Sequence, residues 1–392
     1  MAPLITLEEA QRLVLARVRR LDAEDVPLDA ASGRVAAADV RAAVDLPSFP
    51  SSAMDGFAVR AADVPGTLLV AERIPAGRPA PRPLAAGEAF AIATGGVVPD
   101  GADAVVPIED VVERGNAIEV AGRVEPGAHV RLPGRDVRSG EVVVGAGATI
   151  TPGRLGALGA AGIGRVAVTR RPRAVVAATG SELRRPGEAL APGQVYEANA
   201  AMLAAGLRDA GAEVDVLDSV PDDEAAHRDA LVRGLEADVL VTSGGVSVGP
   251  HDLVRRVLGG LGAEEVFWRV AVKPGKPVAF AVRGETLVFG LPGNPVSSLV
   301  GFELFVRPAV RALQGASEPF RTRSAALAVP VRRDAARDQL VRARLRDGVA
   351  EPLSGQESHM IVRAAAADAL VHIPRGDGEL AAGTTVAYVP LD

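Results

Sequence analysis

Between Pro172 and Leu313 short apolar runs alternate with segments of helical period, and several of those runs open into polar, glycine-containing turns. Ala174–Ala178, Glu213–Leu217, Ala237–Thr242, Val266–Val272, Val278–Val282 and Thr286–Phe289 read as strands. Asn199–Asp209, Glu224–Leu235, His251–Leu258 and Val296–Leu313 read as helices. Strands linked through helices build a three-layer α/β/α unit on a mainly parallel sheet. Ligands of such sheets gather beyond the carboxyl ends of the strands. Thr179-Gly180-Ser181-Glu182, Ser243-Gly244-Gly245-Val246-Ser247-Val248-Gly249 and Gly290-Leu291-Pro292-Gly293-Asn294-Pro295 all fall there, so distant segments are expected to form one site.

The flanks differ in texture. From Pro47 to residue 140 the apolar runs are short and broken by Gly and Pro, as in Thr67–Val70, Ala89–Ile92, Ala104–Ile108 and Ala117–Ile118-Glu119-Val120, which predicts a β-rich insertion. Before it, Thr6 and Glu9 have capping-box spacing ahead of Ala10, Leu13, Val14 and Val18. After it, Thr151-Pro152 suits a helix start, and the two helices are expected to pack together in a small helical and extended linker unit. The tail carries strand-like pieces at Ala326–Val331, Leu340–Leu345, Met360–Arg363, Ala369–Ile373 and Thr385–Val389, predicting a β-barrel-like module. The expected division is 1–46 with 141–170, then 47–140, 171–316 and 317–392.

Aromatic residues make up 3% of the chain, so its cores must be aliphatic, and platforms for stacking nucleic-acid bases are excluded. With a net charge of -6 there is no basic footprint for a nucleic-acid backbone, and an anionic ligand must be held locally. The absence of cysteine removes disulfides, thiolate metal sites and cysteine nucleophiles. No basic-then-apolar leader and no long apolar run is present, which makes the cytoplasm the expected location and a membrane an unexpected partner.

All but two of the 43 basic residues are arginine. The exceptions, Lys273 and Lys276, flank Pro274-Gly275 in one stiff turn. An ammonium is a compact point charge that can follow phosphate or oxyanion oxygens, so an anion is the ligand to test. The Ser243 segment either turns its amides into a phosphate cradle or makes only a tight strand-to-helix turn, and Gly290–Pro295 repeats the choice. Neither is a nucleotide-triphosphate or dinucleotide fingerprint. Glu182, Asp222 and Asp252 stand where carboxylates either cap helices or hold Mg2+ beside phosphates. A second polar group comprises Asp55-Gly56, Thr94, Arg135, Asp136 and Arg138, with hydroxyl, guanidinium and amide groups suited to molybdate or phosphate. His359 and Met360 lack a partner at zinc-ligand spacing, and no Gly-x-Ser-x-Gly elbow occurs.

Several of these segments together resemble the MoeA family of molybdopterin molybdenumtransferases, whose central unit is shared with molybdopterin adenylyltransferases and gephyrin. They are Pro50–Ala58, Ala93–Pro99, Gly134-Arg135-Asp136, Thr179–Leu183, Ser243–Gly249, Lys273–Pro277 and Gly290–Val296. The resemblance implies a homodimer whose 1–46 and 141–170 segments serve dimerisation, transfer of molybdenum from molybdate to adenylylated molybdopterin, Mg2+ and release of AMP. It also implies transient contact with an adenylyltransferase and with acceptor molybdoenzymes or their chaperones. Carried onto this sequence, Asp55, Thr94, Asp136, Glu182, Asp222, Asp252, Lys273 and Lys276 become catalytic candidates, with Glu182, Asp222 and Asp252 toward the metal. Thr179, Gly180, Ser243, Gly244, Gly245, Ser247, Gly249, Pro292, Gly293, Asn294 and Pro295 become cofactor-binding candidates. Arg269 stands where relatives often have lysine, and Glu197-Ala198-Asn199 where they have Asp-Ser/Thr-Asn. Molybdopterin adenylylation and a non-catalytic pterin-binding scaffold are the alternatives.

Overall fold

A computed structural model describes residues 4–75, 77–246 and 253–391. The candidates Ser247, Gly249 and Asp252 lie outside the described residues.

Thr6 opens helix α1 (Leu7–Ala16), its hydroxyl accepting from the Glu9 amide at 3.1 Å. The helix buries Leu7, Ala10 and Val14, but among Phe305, Val306 and Val310 of the central unit. Helix α2 (Pro152–Ala160) instead packs Leu158 against Ala31, Ile150 and Val166. The expected pairing of these two helices is therefore not formed, because each finds its apolar partner in a different core. Ala23–Pro27 pairs antiparallel with Arg165–Thr169, and Val40–Arg41 with Val142–Val144, so the chain enters and leaves the insertion at one place.

The insertion is a curled six-stranded sheet in the order Ala104–Pro107, Gly56–Val59, Glu88–Ile92, Gly66–Ile74, Ala117–Val120, Val111–Arg114. Phe57 and Val106 lie in the core on one face, Ala58 and Phe90 in that on the other. Gly56 sits in a strand, where a Cβ would meet the Val106 carbonyl oxygen at 2.0 Å, so close approach requires the glycine.

Four parallel strands lead the central sheet: Glu213–Val216, Arg173–Ala178, Val239–Ser243 and Thr286–Leu291. Ala279–Arg283 and Glu264–Trp268 complete it antiparallel. Val176, Val241 and Phe289 point to the layer holding α3 (Asn199–Asp209), α6 (Pro295–Gly301) and α7 (Arg307–Leu313), with a π-helical segment Phe302–Val306 between the last two. Their neighbours Val175, Leu240 and Val288 point the other way, to α4 (Glu224–Gly234) and α5 (Leu253–Gly260). Period-two alternation thus separates two aliphatic cores across one sheet. The predicted Val266–Val272 strand is broken: Arg269 takes φ 77°, and Val272–Lys273 joins the C-terminal module beside Asp338–Gln339.

That module is a closed five-stranded barrel of Arg323–Leu327, Thr385–Pro390, Ala369–Ile373, Asp338–Arg346 and Val349–Pro352. The strand-like piece at Met360 is instead a short helix, α8 (Ile361–Ala364). A closed ring leaves it no edge to join. Among the described residues, no helix is long and apolar enough to cross a membrane.

Candidate active site

Two parallel strands end side by side at Ser243 and Leu291, and a cavity of about 610 Å³ opens beyond them. Its walls include Thr179, Glu182, Asn199, Ser243, Gly293, Asn294 and Pro295 from the sheet ends, and His359 from the tail. The parallel topology brings all three glycine-containing turns to one place. Thr179 donates its amide to the Ser243 carbonyl at 2.9 Å, and Gly180 to Val220 at 3.0 Å. The Gly244 amide is committed to Leu291, also at 3.0 Å. A cradle made from that amide is therefore excluded. Gly244 has φ 95°, and a Cβ there would lie 2.6 Å from the Thr179 oxygen, so the tight turn is real and glycine is needed for it. The Gly245 and Gly293 amides have no partner among the described residues and are among the donors left for an anion.

Ser243 is buried and receives a 2.8 Å hydrogen bond on Oγ from Asn199 Nδ2. Its hydroxyl faces the Pro292 carbonyl and Ser298 Oγ, each at 3.3 Å. Asn199 Nδ2 also donates to the Gly293 carbonyl at 2.7 Å. One amide thereby ties α3 to both turns. Asn294 leans away toward the tail, donating to Ser358 Oγ at 3.1 Å, and Pro295 starts α6.

The carboxylates separate by role. Asp223, not Asp222, caps α4, accepting from the Ala226 amide at 2.9 Å. Asp222 is free to bind the neighbouring turn: its Oδ2 accepts from the Ser181 amide at 3.2 Å, while Ser181 Oγ accepts from the Asp222 amide at 2.9 Å. The Glu182 carboxylate folds over Gly180, whose own missing Cβ leaves room for it. Both acids are exposed and flank one turn. Among the described residues, no three His, Cys, Asp or Glu side chains gather as a metal-binding group.

Lys273 and Lys276 are exposed, and neither has an ion-pair partner among the described residues. Their turn is docked on α6, since Gly275 faces the Ser297 carbonyl and Val300. The two lysines are not among the residues that line the cavity.

Asp55 and Thr94 form the centre of the second group. Asp55 Oδ1 accepts from the Thr94 amide at 2.7 Å and from its hydroxyl at 3.0 Å. These donors, the backbone one foremost, hold the carboxyl below its ordinary pKa. The loops around them are stitched together: Ser52 bonds Gly96 and Gly95, Ala53 bonds His129, and Gly134 bonds Pro47. Asp136, Arg135 and Arg138 are exposed on that edge, and no hydrogen bond joins Asp136 to Asp55 or Thr94.

Sequence reasoning missed Asn199 and Glu197 as parts of this wall. Their signal was present: Glu197 stands three residues before Ala200, and its carboxylate takes the Ala200 amide at 2.8 Å, a capping contact that Ala198 cannot provide. His359 was set aside as a metal ligand, and it reaches the cavity because the barrel docks there.

A three-layer α/β/α unit with polar turns at its strand ends defines a ligand-binding domain of the molybdopterin class, and residues 175–312 match the family described as a probable molybdopterin binding domain. Residues 5–162 match the MoeA N-terminal region (domain I and II), and 324–391 the MoeA C-terminal region (domain IV). The chain belongs to the MoeA family of molybdopterin molybdenumtransferases. It is 40% identical over 397 residues to molybdopterin molybdenumtransferase 2 of Mycobacterium tuberculosis, covering 97% of this chain and 98% of that one. The molybdopterin molybdenumtransferase of Haemophilus influenzae is 38% identical over 80% of this chain and 78% of its own length. The crystal structure of the molybdopterin biosynthesis moeA protein of Pyrococcus horikoshii OT3 matches with a TM-score of 0.85 at 30% identity, over 98% of this chain and 99% of that one.

Proposed function

We propose that this chain transfers molybdenum from molybdate to adenylylated molybdopterin and releases AMP. The observation that carries the reading is the cavity of about 610 Å³ at the ends of the parallel strands, large enough for a pterin nucleotide and lined by Gly293, whose amide has no partner among the described residues. Thr179, Gly180, Ser243, Gly244, Pro292, Asn294 and Pro295 shape that cavity and its rim, and Ser247 and Gly249, outside the described residues, belong to the same proposed set. Lys273 and Lys276 balance charge on the departing phosphate, and neither is ion-paired among the described residues.

Glu182 and Asp222 flank one turn, and Mg2+ takes one or two carboxylates with waters and phosphate oxygens, so these residues, with Asp252, would hold it. When bound, the ion supplies Lewis-acid polarisation of the phosphoanhydride. Asp55, Thr94 and Asp136 belong to the molybdate side of the reaction, with Asp55 kept ionised by Thr94 and orienting its hydroxyl.

The same reading includes a cytoplasmic homodimer, transient contact with a molybdopterin adenylyltransferase and acceptor molybdoenzymes or their chaperones, and the four-part division at 1–46 with 141–170, 47–140, 171–316 and 317–392. The test is AMP release from adenylylated molybdopterin with molybdate and Mg2+. AMP appearing only with molybdate supports it. ATP consumption with accumulation of the adenylylated pterin favours adenylylation, and tight binding without turnover favours the scaffold.

A further inference from the structure

We propose that Trp268 is a positioning residue whose indole N–H holds the Ser243–Val246 turn in register with the lysine turn, so that both elements meet one phosphate group together. This rests on the proposed function, in which those two elements serve the phosphate of the substrate. Trp268 is the chain's only tryptophan, is half-buried and ends the strand Glu264–Trp268. Its Nε1 donates to the Val246 carbonyl at 3.1 Å, across 22 residues of chain. Val246 ends the Ser243-Gly244-Gly245-Val246 turn and is 2% exposed, while Ser243 at the start of the turn stands in the cavity wall. The two glycines between them have no side chains to pack, so fixed points at the ends decide where their amides face. Asn199 supplies one such point at Ser243, and Trp268 supplies the other.

Beyond Trp268 the chain passes at once into the lysine turn. The Arg269 amide donates to the Val278 carbonyl and the Val270 amide to the Lys276 carbonyl, both at 3.0 Å, closing the base of the loop that carries Lys273 and Lys276. Arg269 takes φ 77°, a conformation unfavourable to a residue with a Cβ, which persists only where the surroundings over-determine it. Its guanidinium carbon lies 3.8 Å from the centroid of the Trp268 ring. Arg255 of α5 stacks on the same indole at 3.9 Å and is itself held by Glu265 through two hydrogen bonds. These cation–π contacts fix the plane of the indole, and that plane aims the N–H. One side chain thereby joins the root of the lysine turn to the end of the glycine turn.

The single tryptophan makes the tether directly observable, because the 15N-labelled full chain gives one indole N–H signal. AMP should shift that signal with the same Kd that titration calorimetry gives, and adenosine, which lacks the phosphate, should leave it in place. Trp268→Phe keeps an aromatic ring and removes the N–H, so hydrogen exchange at the Gly244 amide should quicken about tenfold and AMP should bind about tenfold more weakly. In the Lys273→Met, Lys276→Met background the same change should weaken AMP binding by less than about twofold, because register has no value once both ammoniums are gone. A merely structural role gives the same factor in both backgrounds. An indole signal that stays in place while AMP binds, or that adenosine shifts equally, overturns the inference, as does unchanged Gly244 exchange in Trp268→Phe or an equal loss of affinity in both backgrounds. If the phenylalanine variant does not fold, the indole titration of the wild-type chain decides. Failure of AMP to bind the wild-type chain counts against the phosphate reading, and Gly244 exchange in the ligand-free variant then decides whether Trp268 holds the turn.

Discussion

The central cavity and the Asp55–Thr94 group are both polar and both built on tight glycine-bearing loops, yet they are organised in opposite ways. In the cavity a buried asparagine and serine lock two turns before any ligand arrives. At Asp55 the carboxylate and hydroxyl are exposed, and order comes only from two short donors and the stitched loops beneath. The lesson is that burial makes the first site selective for shape and hydrogen-bond direction, whereas the second can offer charge and a hydroxyl but little discrimination on its own.

The largest effect expected bears on the scaffold of the buried side. Arg307 is held by Glu303 at 2.8 and 3.0 Å and by Asp209 at 2.6 Å, and burial pushes the Glu303 carboxyl above its usual pKa despite that pairing. Arg307→Met should destabilise the protein by about 3–5 kcal/mol, seen in denaturant melts, because it strands a buried acid. A loss below about 1 kcal/mol would mean that the helix layer behind the cavity is not held by this pair.

Next comes Lys273→Met with Lys276→Met. Both side chains are exposed, so the melting temperature should hold while AMP release falls about 100-fold or more. Unchanged turnover would remove the lysine turn from the proposed reaction. Ser243→Ala should cost about 1–3 kcal/mol, since Asn199 loses an acceptor inside the wall, and it should weaken nucleotide binding in titration calorimetry. The same truncation at Thr94 should leave stability nearly untouched, which is the sharpest form of the contrast.

The smallest effect is electrostatic. With a folded pKa below its unfolded value, Asp55 contributes stability that is present above the unfolded value and lost as pH falls through the folded one. Thr94→Val keeps the backbone donor and removes the hydroxyl, so an NMR titration of Asp55 should show its midpoint move up toward the ordinary carboxylate value. No movement would mean that the hydroxyl does not help hold the charge.

Much of the architecture was legible in local pattern. A short apolar run bounded by Asp368 and Pro374 marked Ala369–Ile373 as a strand, and helical period with flanking glycine marked Asn199–Asp209 as a helix, because both signals depend on neighbours within a few residues. The break at Arg269 was not legible, since a left-handed arginine gives no compositional sign. Nor was α8, whose apolar run reads as a strand until the barrel closes without it. Pro221-Asp222-Asp223-Glu224 announced a helix start but not which aspartate would cap it.

By itself, then, the amino-acid order determined the layers: which runs become strand or helix, that the cores are aliphatic, and that polar turns follow the parallel strands. Family membership was also written there, in motifs spread over the whole chain. Only the tertiary structure decided that α1 joins the central core, that the lysine turn leans on α6, and that Asn199 closes over Ser243 and Gly293. The reason is physical: propensity and periodicity act over one or two turns of chain, whereas a hydrogen bond between residues 94 positions apart exists only after the sheet has brought its ends together.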